Sequence, residues 1–303
     1  MRGLLLALSA YIIWGAFPLY FSYLSHVASL EVLSNRVIWA FVVTLIAVLM
    51  MGKWQEIVAL LKSPRALGWL SLSSFLIGVN WLIFIWAVAN QRVLESSLGY
   101  FMTPLVSMAL GRLLLSEKIN ALQATAGLLA AIAVVFELVT LGKLPWLSLA
   151  LAFSFGFYGL VRKQQPVGSL TGLTVETLMM LPFALWYMVH HYGDWVLGVD
   201  LQASAFLMAS GIVTAIPLFL FAAAAKQLDL TVIGFVMYIN PTMQFLTAIW
   251  IFNEAYTVQR LWTFGLIWIA MLFFLAGLWQ ISRQKKRVAH LLSTLSLIHI
   301  YEP

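Results

Sequence analysis

The sequence predicts an all-α, polytopic membrane protein, and three observations support this fold class: its apolar composition, the length of its apolar stretches and an internal duplication. Of its 303 residues, 63% are hydrophobic and only 9% are charged. Soluble proteins are about 45–50% apolar and about 25% charged. The excess of apolar side chains must therefore face lipid.

Ten apolar stretches can be separated at charges and turn signals, and each has about the twenty residues that a helix needs to cross a bilayer. They cover residues 4–24, 32–51, 67–89, 93–116, 119–141, 144–161, 171–190, 204–225, 231–252 and 258–281. The stretch 144–161 is short. Hydrophobicity is continuous rather than alternating within them, which excludes a transmembrane β-barrel. We therefore expect ten transmembrane helices joined by tight connections.

The duplication consists of a proline followed thirteen residues later by a glutamate, first as Pro104 and Glu117 and again as Pro241 and Glu254. The sequence AVANQ precedes the first copy and AAAKQ precedes the second. Internal symmetry of this kind in a membrane protein is typical of a transporter built from two repeats. We predict a first repeat at 1–141 and a second at 142–285, and we treat 286–303 as a cytoplasmic tail that need not be native.

The positions of Lys and Arg predict the orientation, because short cytoplasmic loops are enriched in both. With both termini in the cytoplasm, the outer side carries only Arg92, Lys143 and Arg260, Arg36 lies within a helix, and every other Lys and Arg is on the inner side. Five helices per repeat is an odd number, so the second repeat must enter the membrane from the opposite side. Glu117 then lies at the inner face and Glu254 at the outer face.

Ionisable residues inside the membrane are candidates for the transport pathway or its gates, because their burial is unfavourable. They are Arg36, Glu95, Glu137 and Glu176. The first three share a depth near the outer side, which predicts an outer ion-pair network. Glu176 lies in the inner half of its helix, where it cannot easily reach Arg36. The alternative is that each long side chain extends to the interface without a further role.

A second group of candidates is polar or aromatic and lies at mid-helix depth. A few such groups in an apolar setting are typical of a small-molecule pocket, although they also occur as contacts between packed helices. The predicted substrate-binding residues, besides Arg36, are Trp14, Asn35, Trp39, Asn80, Trp81, Tyr100, Tyr238 and Gln244.

Pro104 and Pro241 lie near the middle of their helices, where a proline leaves a backbone carbonyl without its usual partner. Such prolines either kink a helix for packing or lie beside a pathway. We predict that both prolines, with the preceding Thr103 and Asn240, lie beside the pathway. Glu117 and Glu254 end their helices and are predicted to be structural, bracing the connections.

Several classes of site are not indicated. The chain has no cysteine, so no disulfide or thiolate metal site is available. No P-loop and no HExxH motif occurs. The net charge of +6 comes from basic residues placed singly between apolar stretches, which fits membrane orientation better than nucleic acid. We expect no cofactor, no metal, no nucleic-acid partner and no enzymatic activity.

Five segments resemble one known family. They are YIIWGAFPLYF, EVLSNRVIW, NWLIFIWAV, ESSLGYFMTPL and TAIPLFLFAAAAK, and they are similar to the RarD proteins, a branch of the drug/metabolite transporter (DMT) superfamily with two EamA-type domains. The resemblance implies a permease of the bacterial inner membrane with ten helices in two inverted EamA-like repeats. The sequence departs from that pattern at Asn35, where a histidine is usual, and at Ala89 and Thr103, where asparagines are usual.

Together these features predict a secondary transmembrane transporter that moves a small amphipathic or aromatic metabolite or drug by alternating access. Arg36 would bind an anionic group or hold the outer gate. Two alternatives remain open: an integral-membrane enzyme acting on lipid-linked substrates, and a membrane sensor or scaffold that does not transport. The expected partners are a small-molecule substrate and the lipid bilayer, and a homodimer is left open.

Overall fold

The computed structural model describes residues 2–141, 145–191 and 200–300, with side chains for all of these except 141, 260, 282 and 284–300. The described part is helical and contains no strand. Its thirteen helices are α1 (Arg2–Gly15), α2 (Phe17–Ser22), α3 (Ser29–Met50), α4 (Trp54–Leu61), α5 (Pro64–Ala89), α6 (Val93–Leu114), α7 (Ala121–Leu141), α8 (Trp146–Gln164), α9 (Ser169–His190), α10 (Leu201–Ala225), α11 (Leu230–Val236), α12 (Ile239–Trp250) and α13 (Val258–Ile300).

Nine segments of the described chain are long and apolar enough to span a membrane. Two of them combine consecutive helices, α1 with α2 (Arg2–Ser22) and α11 with α12 (Leu230–Trp250). The predicted fold class of an all-α membrane protein is therefore confirmed. The remaining long helix, α8, is not among the nine. It is more polar than they are and carries two basic residues in its last turn.

The observed elements differ from the predicted stretches in one connection and at the C-terminal end of the described chain. A short helix, α4, occupies the connection between α3 and α5, where we expected a tight loop. Its Ile57 is buried against Val48 and Leu70, in a cluster that also contains Val175. At the other end of the chain, α13 continues to Ile300, past the position where we placed the start of a tail.

Two predicted continuous helices are interrupted close to a proline. Pro18 is the second residue of α2 and Pro241 is the third residue of α12. The first turn of a helix tolerates proline, because its missing N–H would have no intrahelical partner there. Pro104, by contrast, lies inside α6 without ending it.

The helices form two compact units. The first contains Met1–Glu117 and Lys143–Tyr256, and the second contains Lys118–Gly142 and Thr257–Pro303. In the second unit α7 packs on α13, where Asn120 donates a hydrogen bond to the carbonyl of Gly277 at 3.0 Å. Each unit combines helices from both halves of the chain, whereas the predicted repeats divide it at residue 141.

Within the first unit, α6 lies antiparallel to α11 and α12, and a glutamate joins the pair at each end. Glu117, just after α6, accepts hydrogen bonds from the first two amide groups of α11 at 2.7 and 3.0 Å. Glu254, beyond α12, accepts from the first two amides of α6 at 3.1 and 3.0 Å. Carboxylates are favourable at helix N-termini, which present free N–H groups and a partial positive charge. Each glutamate therefore caps the helix segment of the other copy of the motif.

The backbone before each glutamate has the same geometry in both copies. Ser116 and Asn253 adopt positive φ angles of 54° and 52°. The amide of Glu117 bonds the carbonyl of Gly111 at 3.0 Å, and that of Glu254 bonds Ala248 at 2.9 Å, six residues earlier in each case. We predicted that the glutamates brace their own connections, but their carboxylates instead reach across to a distant segment of the chain.

Candidate functional site: a buried arginine in an aromatic cavity

A cavity inside the first unit brings together side chains from seven helices. Its lining residues are Trp14, Phe17, Arg36, Asn80, Trp81, Phe84, Tyr100, Phe155, Asn240 and Gln244. Its volume is about 20 Å³, and a single water needs about 10–15 Å³ on this measure. All of its lining side chains are buried, and its volume is small, so a larger molecule fits only if the surrounding helices move.

Arg36 of α3 is the charged residue of this cavity, and it is only 1% exposed. Its Nε donates to Thr214 Oγ1 at 2.7 Å, and its guanidinium lies 4.2 Å from the ring centre of Trp81. Phe17 and Phe21 lie slightly farther from it, at 5.3 and 5.2 Å. Its Nη1 is buried and has no hydrogen-bond partner, and no carboxylate in the described chain forms an ion pair with it.

Burial of a charge without an opposite charge is unfavourable. Contact with aromatic faces offsets part of that penalty, since cation–π contacts contribute about 0.5–2 kcal/mol. The Nη1 group therefore remains an unsatisfied donor of a residue that lines the cavity. An anion with a planar pair of oxygens, such as a carboxylate, is the natural partner of a guanidinium.

Asn80 and Tyr100 form a fixed polar pair in the wall. The Tyr100 hydroxyl donates to Asn80 Oδ1 at 3.1 Å. Asn80 Nδ2 donates to the carbonyl of Leu151 at 3.2 Å and to Ser154 Oγ at 3.0 Å. The amide is thus satisfied on both sides and joins α5, α6 and α8. These groups position the wall, and they offer few free hydrogen bonds to a ligand.

The second amide pair of the cavity lies on α12. Gln244 Nε2 donates to Asn240 Oδ1 at 2.7 Å, one helical turn earlier. Gln244 Oε1 accepts a longer hydrogen bond from Ser96 of α6 at 3.4 Å. Asn240 was predicted as a pathway residue rather than a binding residue, and it lines the cavity.

Three phenylalanines complete the wall and were not predicted: Phe17, Phe84 and Phe155. The ring of Phe155 packs edge to face against two other rings, with 5.4 Å between ring centres for Trp14 and 6.4 Å for Tyr100. Phenylalanine is too common in apolar stretches to indicate a site by itself. For Phe155 a signal existed, because Phe155-Gly156 corresponds in the duplication to Trp14-Gly15.

Other predicted residues lie outside the cavity. Tyr238 is fully buried between Phe101 and Phe235. Asn35 donates to the backbone carbonyl of Glu31 at 3.1 Å, and Trp39 packs against Gly211 of α10. These side chains were predicted at the depth of the cavity residues, but their contacts are made outside the cavity.

The predicted prolines also do not line the cavity. Pro104 packs against Gly234 of α11, where a Cβ atom would lie 3.2 Å from the proline Cα. The carbonyl of Pro241 accepts a hydrogen bond from Ser97 Oγ of α6 at 3.0 Å. Thr103 Oγ1 bonds the carbonyl one turn back in its own helix at 3.1 Å. Both prolines therefore lie in the contact between α6 and the α11–α12 segment.

The predicted outer ion-pair network of Arg36, Glu95 and Glu137 is not formed. Glu95 pairs with Arg92, three residues earlier, at 2.6 Å, because this position is adjacent on the same helical turn. Glu137 belongs to the second unit, where it accepts a hydrogen bond from Thr263 at 2.9 Å. Similar depth along the chain therefore did not predict the partner of Glu95.

Glu176 of α9 forms a second buried cluster, and its side chain is 0% exposed. Its Oε1 accepts from Ser73 Oγ at 2.6 Å and from Arg162 Nη1 at 3.4 Å. Its Oε2 accepts from the Tyr158 hydroxyl at 3.4 Å. A Cβ atom on Gly172, one turn before Glu176, would collide with the Arg162 guanidinium. We call Glu176, Arg162, Ser73 and Tyr158 the Glu176 cluster.

Sequence reasoning missed Arg162, which we assigned to an inner loop. It lies in the last turn of α8, and its side chain is 1% exposed. The signal that could have found it was Glu176 itself, since a buried carboxylate requires a cation or several donors.

The Glu176 cluster lies between the cavity and a second, larger depression. This groove, of about 960 Å³, is lined by parts of α4 and α5 and by the α8–α9 connection, including Trp69 and Gln165. Arg162 donates to the carbonyl of Ser169, beside that connection, at 3.2 Å. On the side of the cavity, the ring of Tyr158 packs against the ring of Phe155 in the cavity wall, with 5.9 Å between the ring centres.

Comparison with known proteins places this fold and site in a family. Residues 1–139 match the EamA-like transporter family. The chain is 43% identical to the protein RarD of Salmonella typhi over 94% of this chain and 98% of that protein. It is 42% identical to an uncharacterized transporter of Vibrio cholerae, over 90% of this chain and 91% of that protein. A solved crystal structure shares 15% identity and a TM-score of 0.67 over 89% of this chain and 96% of that one, which supports the fold alone.

The bacterial relatives and the apolar helices together indicate a bacterial multi-pass membrane protein that functions as a transporter. Because the identity exceeds 40% over nearly the whole length of both chains, the protein belongs to the RarD branch of the EamA-like transporter family, within the drug/metabolite transporter superfamily.

Proposed function

We propose that the protein is a secondary transporter that moves a small amphipathic or aromatic molecule by alternating access of two inverted five-helix repeats, residues 1–141 and 142–285. The observation that carries this proposal is the small cavity with a buried lining around Arg36. It combines a buried guanidinium, two amide pairs and aromatic walls, which is the composition of a small-molecule site. In this proposal α8 also crosses the membrane, in addition to the nine segments named above, which gives ten transmembrane helices.

The antiparallel arrangement of α6 with α11 and α12 supports the inverted repeats. The glutamate of each copy caps the helix segment of the other, with the same backbone geometry. Helix contacts also occur in exchanged pairs: α6 packs on α8 as α12 packs on α1, and α5 packs on α8 as α10 packs on α1. Such exchange is expected when two repeats are related by an axis in the membrane plane.

The Glu176 cluster is a suitable inner gate in this scheme. It joins α5, α8 and α9 at the place where the groove approaches the cavity. Opening toward the groove would require Arg162 and Glu176 to separate and become hydrated. The groove then serves as the inner entrance, and the region around Arg36 and Tyr20 lies toward the outer side.

The topology can be tested directly, because the chain has no cysteine. Single cysteines at Lys118 and Tyr256 would be labelled in intact cells with a membrane-impermeant maleimide. We expect Tyr256→Cys to be labelled from outside and Lys118→Cys only after permeabilisation. Labelling of both from one side would refute the inverted repeats.

Transport itself is tested by flux into liposomes that contain the purified protein. A solute that exchanges across the liposome membrane only when the protein is present supports a transporter. Binding of a solute without any flux would instead indicate a sensor or scaffold.

A further inference from the structure

We propose that the cavity selects an aromatic monocarboxylate, a molecule with one negative charge and no positive charge, whose carboxylate binds the guanidinium of Arg36. This inference rests on the proposed function and names the substrate class of the same site. It excludes zwitterions such as amino acids, amine-bearing cations and dianions as preferred substrates.

The charge of the cavity indicates that the ligand has one negative charge. Of its ten lining side chains, only Arg36 is charged. Its Nη1 is buried without a partner and its Nε is already bonded to Thr214. One guanidinium neutralises one carboxylate, so a ligand with a second negative charge would carry that charge into an apolar site. Such burial is strongly unfavourable.

The hydrogen-bond acceptors of the cavity indicate that the ligand has no ammonium group, because an ammonium would need several free acceptors. No carboxylate lines the cavity. The three amide oxygens of the lining are engaged: Asn80 Oδ1 accepts from Tyr100, Asn240 Oδ1 accepts from Gln244, and Gln244 Oε1 accepts from Ser96. An ammonium group would therefore lose its hydration and also meet the positive charge of Arg36. The site discriminates against amines by both effects.

The aromatic walls of the cavity indicate that the rest of the ligand is an aromatic ring. Trp14, Phe84 and Phe155 line the cavity, and the Trp81 ring lies under the guanidinium. Aromatic pairs contribute about 0.5–1.5 kcal/mol beyond the area that they bury. A ring that follows the carboxylate by one or two bonds would reach these walls while its anionic end remains at Arg36.

The test is a binding series in which only the charge of the ligand changes. Binding of radiolabelled phenylacetate to the purified full-length protein is competed with phenylacetamide, phenethylamine, phenylalanine and cyclohexylacetate. We expect phenylacetate to bind about 10- to 100-fold more tightly than neutral phenylacetamide, as for a hydrogen bond to a charged group. The amine and the zwitterion should compete no better than the amide. Cyclohexylacetate should bind a few-fold more weakly than phenylacetate.

A pair of arginine variants shows which residue provides the selectivity. Arg36→Met should remove the preference for phenylacetate over phenylacetamide, and Arg36→Lys should retain part of it, because an ammonium keeps the charge but not the bidentate geometry. Arg283→Met is the matched control: Arg283 also stacks on a tryptophan, at 3.7 Å from Trp279, but is exposed. It should leave the preference unchanged.

Each outcome decides the question. Absence of phenylacetate binding, equal affinity for the amide, preference for phenylalanine, or an unchanged preference in Arg36→Met overturns the proposal, and the ligand series on the natural sequence gives an answer even if a variant does not fold. Equal binding of cyclohexylacetate overturns the aromatic part. Selective binding without flux in liposomes supports the anion site and refutes transport. Flux of a neutral or cationic solute without phenylacetate binding supports transport and refutes the anion site.

Discussion

Arg36 and Arg162 are both buried to the same extent inside the first unit, but they satisfy their charge in different ways. Arg162 pairs with Glu176 in a cluster closed by Ser73 and Tyr158. Arg36 has a threonine hydroxyl, aromatic faces and an Nη1 group without a partner. Burial alone therefore does not distinguish a structural charge from a binding charge.

The difference teaches that a missing counter-charge indicates a ligand-binding residue, whereas a paired charge holds helices together. In a buried ion pair each charge has a counter-charge, although Arg162 Nε lacks a hydrogen-bond partner, and removal of one member leaves the other charge unpaired. A buried cation without a carboxylate is incomplete, and a ligand can complete it. We therefore expect opposite responses to substitution: loss of stability at the Glu176 cluster, and loss of ligand selectivity at Arg36.

The largest effect is expected for Glu176→Gln. It should destabilise the protein by about 3–5 kcal/mol, because the buried Arg162 cation loses its counter-charge. Thermal unfolding in detergent measures the change. Combining Glu176→Gln with Arg162→Met should recover much of the stability, and a double variant that is no more stable than the single one would contradict the paired-charge interpretation.

The capping glutamates provide an intermediate case, in which backbone N–H groups satisfy a carboxylate. Glu117→Gln and Glu254→Gln should each destabilise the protein by about 1–3 kcal/mol, since hydrogen bonds to a charged acceptor become neutral ones. Similar values for the two variants, obtained by the same unfolding measurement, would support the equivalence of the two copies. A large effect of one and none of the other would argue against it.

The stabilisation that the Glu117 carboxylate provides should depend on pH. Burial would raise its pKa, but hydrogen bonds from the amides of Thr231 and Leu230, the Thr231 hydroxyl and the charge of Lys163 together lower the pKa below the ordinary value of 4.5. The folded pKa is depressed, so the stabilisation is fully present above about pH 4.5 and is lost as pH falls through the folded pKa. The difference in melting temperature between the natural protein and Glu117→Gln should therefore shrink in acid. A difference that grows in acid would reverse the sign of this linkage.

The smallest effect on stability is expected for Arg36→Met. Because no carboxylate is left behind, and an apolar side chain of similar length replaces an incompletely bonded cation, the free energy of unfolding should change by less than about 1 kcal/mol or increase. The same thermal assay as for Glu176→Gln measures it. Destabilisation as large as that of Glu176→Gln would mean that Arg36 is also a structural charge.

Much of the cavity could be predicted from residue type and depth. Arg36, Asn80 and Tyr100 are polar groups within apolar stretches, and such groups are unfavourable in lipid unless they face protein. The same reasoning selected Tyr238 and Asn35, which lie at similar depth but pack elsewhere. Depth follows from position along the chain, whereas the direction of a side chain depends on which helix lies opposite.

The carboxylates illustrate the same limit. Glu95 was expected near Arg36, yet its partner is Arg92, three residues earlier in the chain. Arg162 was assigned to a loop because it follows an apolar stretch, although α8 includes it and α9 covers it. A pattern of hydropathy gives no information about pairing between distant helices.

The sequence by itself determined that the protein is an all-α membrane protein of the RarD branch, and it identified the two copies of the proline and glutamate motif. These properties follow from composition and local order along the chain, which any fold of this chain must respect. Only the tertiary structure decided that each glutamate caps the other copy's helix, that Arg162 is paired and that Arg36 is not. The reason is physical: the free energy of a buried charge depends on atoms within about 4 Å of it, and those atoms belong to helices that are distant in sequence.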